Sequence, residues 1–480
     1  MLDTLRSELR ALEAATRPLE PDSEERARLG ALALDHALAF LEAVPEAPSN
    51  SSWTDVFARS LDPEFPEVGR DAAEVLEYVG QCVERPGFAT TSPRFMAYIP
   101  GGGLFHSALG DLLAAASNKY SGFASASPGA VRLENATAGW LAKVIGYPET
   151  AAGTLTSGGS LATLTAVVAA REARDPDGGG AVYMTRFAHY CVDKALHIAG
   201  RRGAPRRMIG TDAGGRMSIE GLAEALERDR AEGIRPWLVI ASAGTVDTGS
   251  VDPLAEIADL CARSDAWLHV DGAYGGLFAL CDEGRLILNG IERADSVVLD
   301  PHKTLFLPYG TGAVLVRDGR HLLDAFSASA DYLRPLGESE VGPSPADLSP
   351  ELTRHFRALR LWLPLQIAGV AAFRAAQTEK LRLARYFHAR LAELDGFEVG
   401  SPPDLSVVAF RYRPRGAEID AFNERLIGHV QREGRVMLSG TRIDGSFYLR
   451  CAILSFRTHL DHVDEAIAAL SRAAAAVEAE

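Results

Sequence analysis

Four short stretches of the chain hold residue types that could do chemistry. In TSGGS, Thr156 to Ser160, two glycines separate an apolar run from a helix-like one. Glycines leave the backbone unobstructed, and a helix start offers unpaired N–H groups, so this stretch suits an anion such as a phosphate. No GK[ST] follows, which disfavours a nucleoside triphosphate. Asp271 ends a strand-like run in WLHVDGAYGG, and Asp300, His302 and Lys303 follow the next such run in SVVLDPHKTLFLPYGTG. Lys303 lies 32 residues beyond Asp271, between an apolar strand and the apolar TLFLPYG, an unusual setting for a solvated charge. His189, in RFAHYCVDKA, stands at another strand-to-helix junction. Singly, each has a plain structural reading: a turn, a helix cap, a surface lysine, a hydrogen-bonded core histidine.

The elements that must position these residues alternate. Runs at 153–157, 181–185, 237–243, 266–271, 296–300 and 312–317 read as strands. Helix-like runs such as LATLTAVVAAREAR, VDKALHIAG and IEGLAEALERDRAEG lie between several of them. That order predicts an α/β fold: a mainly parallel sheet covered by helices on both faces, with ligands at the carboxyl ends of the strands. A phosphate cradle, a carboxylate and an amine gathered there match pyridoxal 5′-phosphate (PLP). The amine can form a Schiff base, the carboxylate can keep the pyridine nitrogen protonated, and an imidazole can stack on the ring.

Residues 1–90 read as a helical, dimer-forming segment with leucines at 2, 5, 9 and 12. Residues 91–375 read as the large cofactor-binding domain and 376–480 as a small α+β domain. The proline-rich irregular stretch within 319–360 reads as disordered or as a lid.

The 480 residues carry 49 basic and 64 acidic side chains, a formal charge of −15 that disfavours nucleic acid or an anionic membrane as partner. Only five of the basic residues are lysines, at 119, 143, 194, 303 and 380. Five scattered cysteines form no CxxC pair, so neither a disulfide framework nor a metal site is expected. With no apolar leader at the start and no membrane-length apolar run, the expectation is a soluble cytoplasmic protein.

HVDGAYGG followed at this spacing by DPHKTL resembles the group II PLP-dependent amino-acid decarboxylases, which include the aromatic-L-amino-acid, histidine and glutamate decarboxylases. The similarity runs from SPRFMAYIPGGG to YLRCAILSFRTHLDHV. It implies the fold-type I, aspartate-aminotransferase-like architecture and a homodimer with the active site at its interface. It also implies decarboxylation of an L-amino acid, with an aromatic substrate first among the candidates. By resemblance, Lys303 is the Schiff-base lysine, Asp271 the partner of the pyridine nitrogen and His189 the stacking histidine. Gly159, Ser160 and His302 attend the phosphate, Thr245, Ala273 and Asp300 the cofactor, and Tyr98, Ile99, Pro100 and Arg450 the substrate.

The chain departs from the family at Leu161, Val246 and Thr304, and at Ile99 and Gly122, where aromatic-acid decarboxylases tend to carry phenylalanine. No tyrosine occurs between residues 333 and 385, where the family's mobile loop usually supplies the proton donor. Tyr332, His189 or a residue of a second subunit is then the expected donor. Otherwise the outcome differs: an aldehyde synthase, another lyase, or a silent PLP-binding homologue.

Overall fold

The protein is described here by a computed structural model, which covers residues 1–51, 65–327, 341–416 and 418–480. These fall into two compact units, Met1–Ser92 and Pro93–Glu480. In the first unit, the helices Leu2–Thr16 and Ser23–Ala43 follow the leucine spacing, and Asp22 caps the second by accepting the Glu25 N–H at 2.9 Å. Leu2, Leu5, Leu9 and Leu12 are all exposed. A further helix, Ala72–Val79, is capped by Asp71, and two short strands, β1 (Asn50–Ser51) and β2 (Gly87–Phe88), pair antiparallel.

The second unit contains a seven-stranded sheet: β3 (Ala152–Thr156), β4 (Ala181–Thr185), β5 (Arg206–Ile209), β6 (Pro236–Ser242), β7 (Trp267–Gly272), β8 (Ser296–Leu299) and β9 (Gly312–Val316). The spatial order is β3-β9-β8-β7-β6-β4-β5. From β8 to β5 every pairing is parallel; β9 runs against both β8 and β3. The central strands are apolar at nearly every position because both faces are covered. Leu268 and Val270 enter one core with the helix Pro128–Ile145. Trp267 and Val298 enter the opposite core with the helix Gly159–Arg174. β5 gave no strand signal in the sequence because Arg206-Arg207-Met208-Ile209 is an edge strand, half polar.

A smaller antiparallel sheet follows, ordered β10-β11-β13-β12: β10 (Phe397–Val399), β11 (Val407–Tyr412), β12 (Ser439–Ile443) and β13 (Ser446–Ala452). The helices Val370–Ala392, Ile419–Glu433 and Leu460–Ala479 cover it and share its core around Phe387, Phe410 and Leu470. Residues 375 and 376 lie inside the first of these helices.

The irregular stretch is anchored where it is described. Asn135 Nδ2 donates to the carbonyls of Val341 (2.9 Å) and Pro343 (3.1 Å), and Ser344 Oγ accepts the Ala124 N–H. Pro345, Leu348 and Ser349 are buried. Tyr332 and residues 336–340 of the expected lid lie outside the described residues. Among the described residues no helix is long and apolar enough to cross a membrane, and no group of three or more His, Cys, Asp or Glu could hold a metal ion.

Candidate active site

Strands β7 and β8 are parallel neighbours, with Asp271 opposite Val298 and Gly272 opposite Leu299. Asp271 therefore emerges beside the segment that follows β8. There Asp300 donates its N–H to the Ala273 carbonyl (3.1 Å), and Pro301 opens a single helical turn, Pro301–Thr304, that carries Lys303. Phe306 closes this turn at φ 63°, a costly conformation for a bulky residue. Its ring is buried against Phe373 and Phe456, which holds it there. Thr304 is fully buried, and its hydroxyl donates to the Tyr274 carbonyl, so no bulky side chain has room at that position.

The phosphate-suited turn is fixed from below. Glu134 accepts the Thr154 hydroxyl (2.8 Å) and the Leu155 N–H (3.1 Å), and it pairs with the equally buried Arg354 at 2.8 Å. β3 is thus pinned, and Ser157–Gly158 leads directly into the helix Gly159–Arg174. A Cβ added at Gly159 would lie 2.9 Å from Asp300 Oδ2, so only glycine lets the two segments approach.

These strand ends enclose a cavity of about 320 Å³ lined by Gly158, Gly159, His189, Asp271, Asp300 and Lys303, with Ser160, Ala273 and His302 also in its wall. Lys303 Nζ lies 2.9 Å from Asp300 Oδ2. Burial works against the ammonium, but Asp300 in contact and Asp271 nearby outweigh it, and the Lys303 pKa is held above its usual range. Burial pushes His189 down, partly offset by Asp271, and its Nδ1 accepts the Cys191 N–H at 3.3 Å. Burial likewise lowers His302, against the pull of Asp300, and its Nδ1 donates to the Thr311 carbonyl at 2.6 Å. Asp300 Oδ1 is buried without a partner. An amine, two carboxylates, two imidazoles and a glycine cradle at a helix start form a donor set that fits PLP, and the orphaned Asp300 oxygen marks where a polar group is accommodated.

Other expected residues stand apart from this cavity. The Thr245 hydroxyl faces Thr248 (2.7 Å) and the Ser250 N–H, while its neighbours Gly244 and Val246 line the wall. Arg450 is 3% exposed, and its guanidinium donates to the carbonyls of Val246 (2.6 Å) and Tyr98 (2.7 Å) and to Ser439 Oγ (3.0 Å). It therefore clamps three segments together. Tyr98, at φ 53°, is 53% exposed, and Ile99 and Pro100 continue a strand of loop pressed onto the lysine turn. A Cβ at Gly101 would lie 1.9 Å from the His302 carbonyl oxygen. At Gly122 a Cβ would lie 2.2 Å from the Leu352 carbonyl, so the anchored stretch excludes any aromatic there. The cavity also includes Thr163 and Cys191, which the sequence reading missed. Their spacing, Gly159 to Thr163 along one helix and His189 to Cys191 across one junction, was the available signal. Burial raises the Cys191 thiol to about 12, so it lines the wall as a neutral group.

Residues 56–413 match the model of the pyridoxal-dependent decarboxylase conserved domain. The chain belongs to that family. It is 35% identical over 452 residues to an aromatic-L-amino-acid decarboxylase of Bacillus atrophaeus, covering 92% of this chain and 93% of that protein. It is 29% identical to a phenylacetaldehyde synthase of Arabidopsis thaliana, covering 93% and 95%. Among solved structures, Oryza sativa TDC with PLP and tryptamine superposes with a TM-score of 0.89 at 26% identity, covering 96% of this chain and 99% of that one. The fold is thus the fold-type I architecture, and the protein is a PLP-dependent amino-acid decarboxylase.

Proposed function

We infer that the cavity at the ends of β7 and β8 carries out this decarboxylation, and that an aromatic L-amino acid is its first-choice substrate. The observation that carries the reading is the convergence of Asp271, Lys303 and the Gly158–Ser160 turn on one cavity. When bound, PLP supplies the electron sink that makes loss of CO₂ from an amino acid feasible. Lys303 would hold it covalently, Asp271 would keep its ring nitrogen protonated, His189 would lie on the ring, and Gly159, Ser160 and His302 would hold its phosphate. Ala273 and Thr245 support the same pocket from the ends of β7 and β6.

Lys303 has a second use. Its ammonium, kept charged beside Asp300, can hold at Nζ the proton that returns to the substrate's α-carbon, a role the missing loop tyrosine leaves open. Arg450 acts here by fixing the Tyr98–Pro100 loop on which a substrate side chain would rest.

The exposed face of Leu2, Leu5, Leu9 and Leu12 supports a homodimer, whose active site would lie at the interface by the family resemblance, and five buried, unpaired cysteines support a cytoplasmic setting. Sedimentation of the purified chain at twice the monomer mass is the expected result for the dimer.

The test of function is to load the full chain with PLP and offer aromatic, acidic and basic L-amino acids while measuring CO₂, amine, aldehyde and peroxide. Equal CO₂ and amine, fastest with an aromatic substrate, is expected; no CO₂ from any amino acid would overturn the reading. A second reading, an aldehyde synthase that consumes O₂, is favoured by the lack of tyrosine in 333–385. Aldehyde and peroxide in place of amine would establish it.

A further inference from the structure

The phosphate side of the cavity has an unusual charge pattern. A site for a phosphate dianion ordinarily presents cations, yet the group lying against Gly159 is the carboxylate of Asp300, 2% exposed, with Oδ1 unpartnered, and the His302 ring lies against Gly158. Among the described residues, the ammonium in contact with it is that of Lys303, 2.9 Å away and already paired with this carboxylate. Besides Lys303, the titratable groups that share the cavity with Asp300 are His302 on its own turn, Asp271 and Tyr274 at the end of β7, and His189 and Cys191 at the junction after β4. Arg360 bears on His302 from beyond Thr311, but its own partners are Asp111, the Tyr309 carbonyl and Thr311 Oγ1. No free cation remains in this set to meet the phosphate.

His302 offers the way out. A carbonyl can only accept, so the 2.6 Å contact with Thr311 fixes the proton on Nδ1. The other nitrogen, Nε2, faces Asp300 Oδ2 at 3.7 Å with a bare lone pair when the ring is neutral. Two acceptors thus face each other beside a place where a third anion must come. One added proton on Nε2 turns that arrangement into an imidazolium flanked by two anions.

We propose that Asp300 and His302 form a seat that takes up one proton with each phosphate bound, the proton coming from solvent and residing on His302 Nε2. The proposal rests on reading the Gly158–Ser160 turn as the phosphate site. No bond to the cofactor is made or broken in this step; one solvated proton becomes one N–H.

The test uses the full chain freed of cofactor and pyridoxine 5′-phosphate, which carries the phosphate but has no aldehyde to join Lys303. Pyridoxine without phosphate is the reference. Calorimetry in two buffers of different protonation heat counts the protons taken up. About one proton more is expected with the phosphorylated compound, falling toward zero in both Asp300→Asn and His302→Gln. In the unaltered protein, affinity for pyridoxine 5′-phosphate should fall about tenfold per pH unit above neutrality, and pyridoxine should show no matching slope. The same proton count in Asp300→Asn as in the unaltered protein, or a flat affinity in the unaltered protein, overturns the proposal. If pyridoxine 5′-phosphate binds no more tightly than pyridoxine and inorganic phosphate does not displace it, the cradle reading falls as well.

Discussion

Lys303 and Lys380 are both withdrawn from solvent, whereas the other three lysines are exposed. Lys303 keeps 24% of its side chain open, toward a cavity, and its counter-charge Asp300 is the deeply buried member of the pair. Lys380 has no exposure at all. It lies in the middle of the helix Val370–Ala392 and donates to the Thr458 carbonyl and to Glu379, whose side chain is 36% exposed. Burial lowers the Lys380 pKa despite Glu379, while Asp300 and Asp271 overcome burial at Lys303 and raise it. Burial alone, then, does not mark a reactive lysine. What separates the two is an adjoining cavity and a buried counter-charge at Lys303, against an amine fully consumed by structure at Lys380. The amine of Lys380 instead holds the turn whose Arg457 donates to the Gly102 carbonyl and whose Thr458 hydroxyl donates to the Pro93 carbonyl at 2.7 Å.

The contrast can be broken most directly at the two lysines. Lys303→Ala should abolish the visible absorption of lysine-bound PLP and lower CO₂ release by roughly 10³-fold or more. An absorbing, borohydride-sensitive protein would place the reactive amine elsewhere. Next in size is an acid effect at the cavity end. His269 stands two residues before Asp271 on β7 and is 1% exposed, and burial holds its pKa at about 4. The unfolded chain protonates first, near 6.5, so stability is complete above that pH and is lost as pH falls toward 4, on the order of 3 kcal/mol. His269→Gln should flatten this slope in urea midpoints measured against pH. An unchanged slope would assign the acid sensitivity to another group.

Lys380→Met should leave the absorption of bound PLP intact but cost about 1–3 kcal/mol in denaturant unfolding, because the Thr458 carbonyl loses its buried donor. Loss of the absorption with the fold retained would erase the distinction drawn between the lysines. The smallest effect belongs to Glu379→Gln, below about 1 kcal/mol, since that carboxylate is solvated enough for screening to weaken the pair.

Much of the site was legible in the sequence because its residues sit at strand ends. Asp271 and Lys303 each follow an apolar run, and parallel pairing of those runs brings the two together. The same logic located β4 at its observed limits and the other central strands to within a residue. Pairings made only in three dimensions were not legible. Nothing near Glu134 announces Arg354, and the helical pattern around Lys380 gives no hint that its amine is spent on a distant carbonyl. The proline-rich stretch, lacking apolar periodicity, read as disordered or as a lid, and the sequence offered no sign of its anchors. Residues 341–352 are nonetheless held down by Asn135 and by the buried Pro345 and Leu348, contacts that have no period. Arg450 was expected to meet substrate; its guanidinium donates to Val246, Ser439 and Tyr98, an outcome set by the approach of three separate segments.

The close approach of Gly101 to the His302 carbonyl has a consequence for how the pocket reports on its contents. There is no slack between the loop bearing Tyr98 and the peptide unit that precedes Lys303. Whatever leans on that loop, a substrate ring or an altered side chain, leans on the lysine's backbone too. The colour of the loaded enzyme thereby becomes a strain gauge, and ligands that never touch the cofactor can be ranked by the spectral shift they cause.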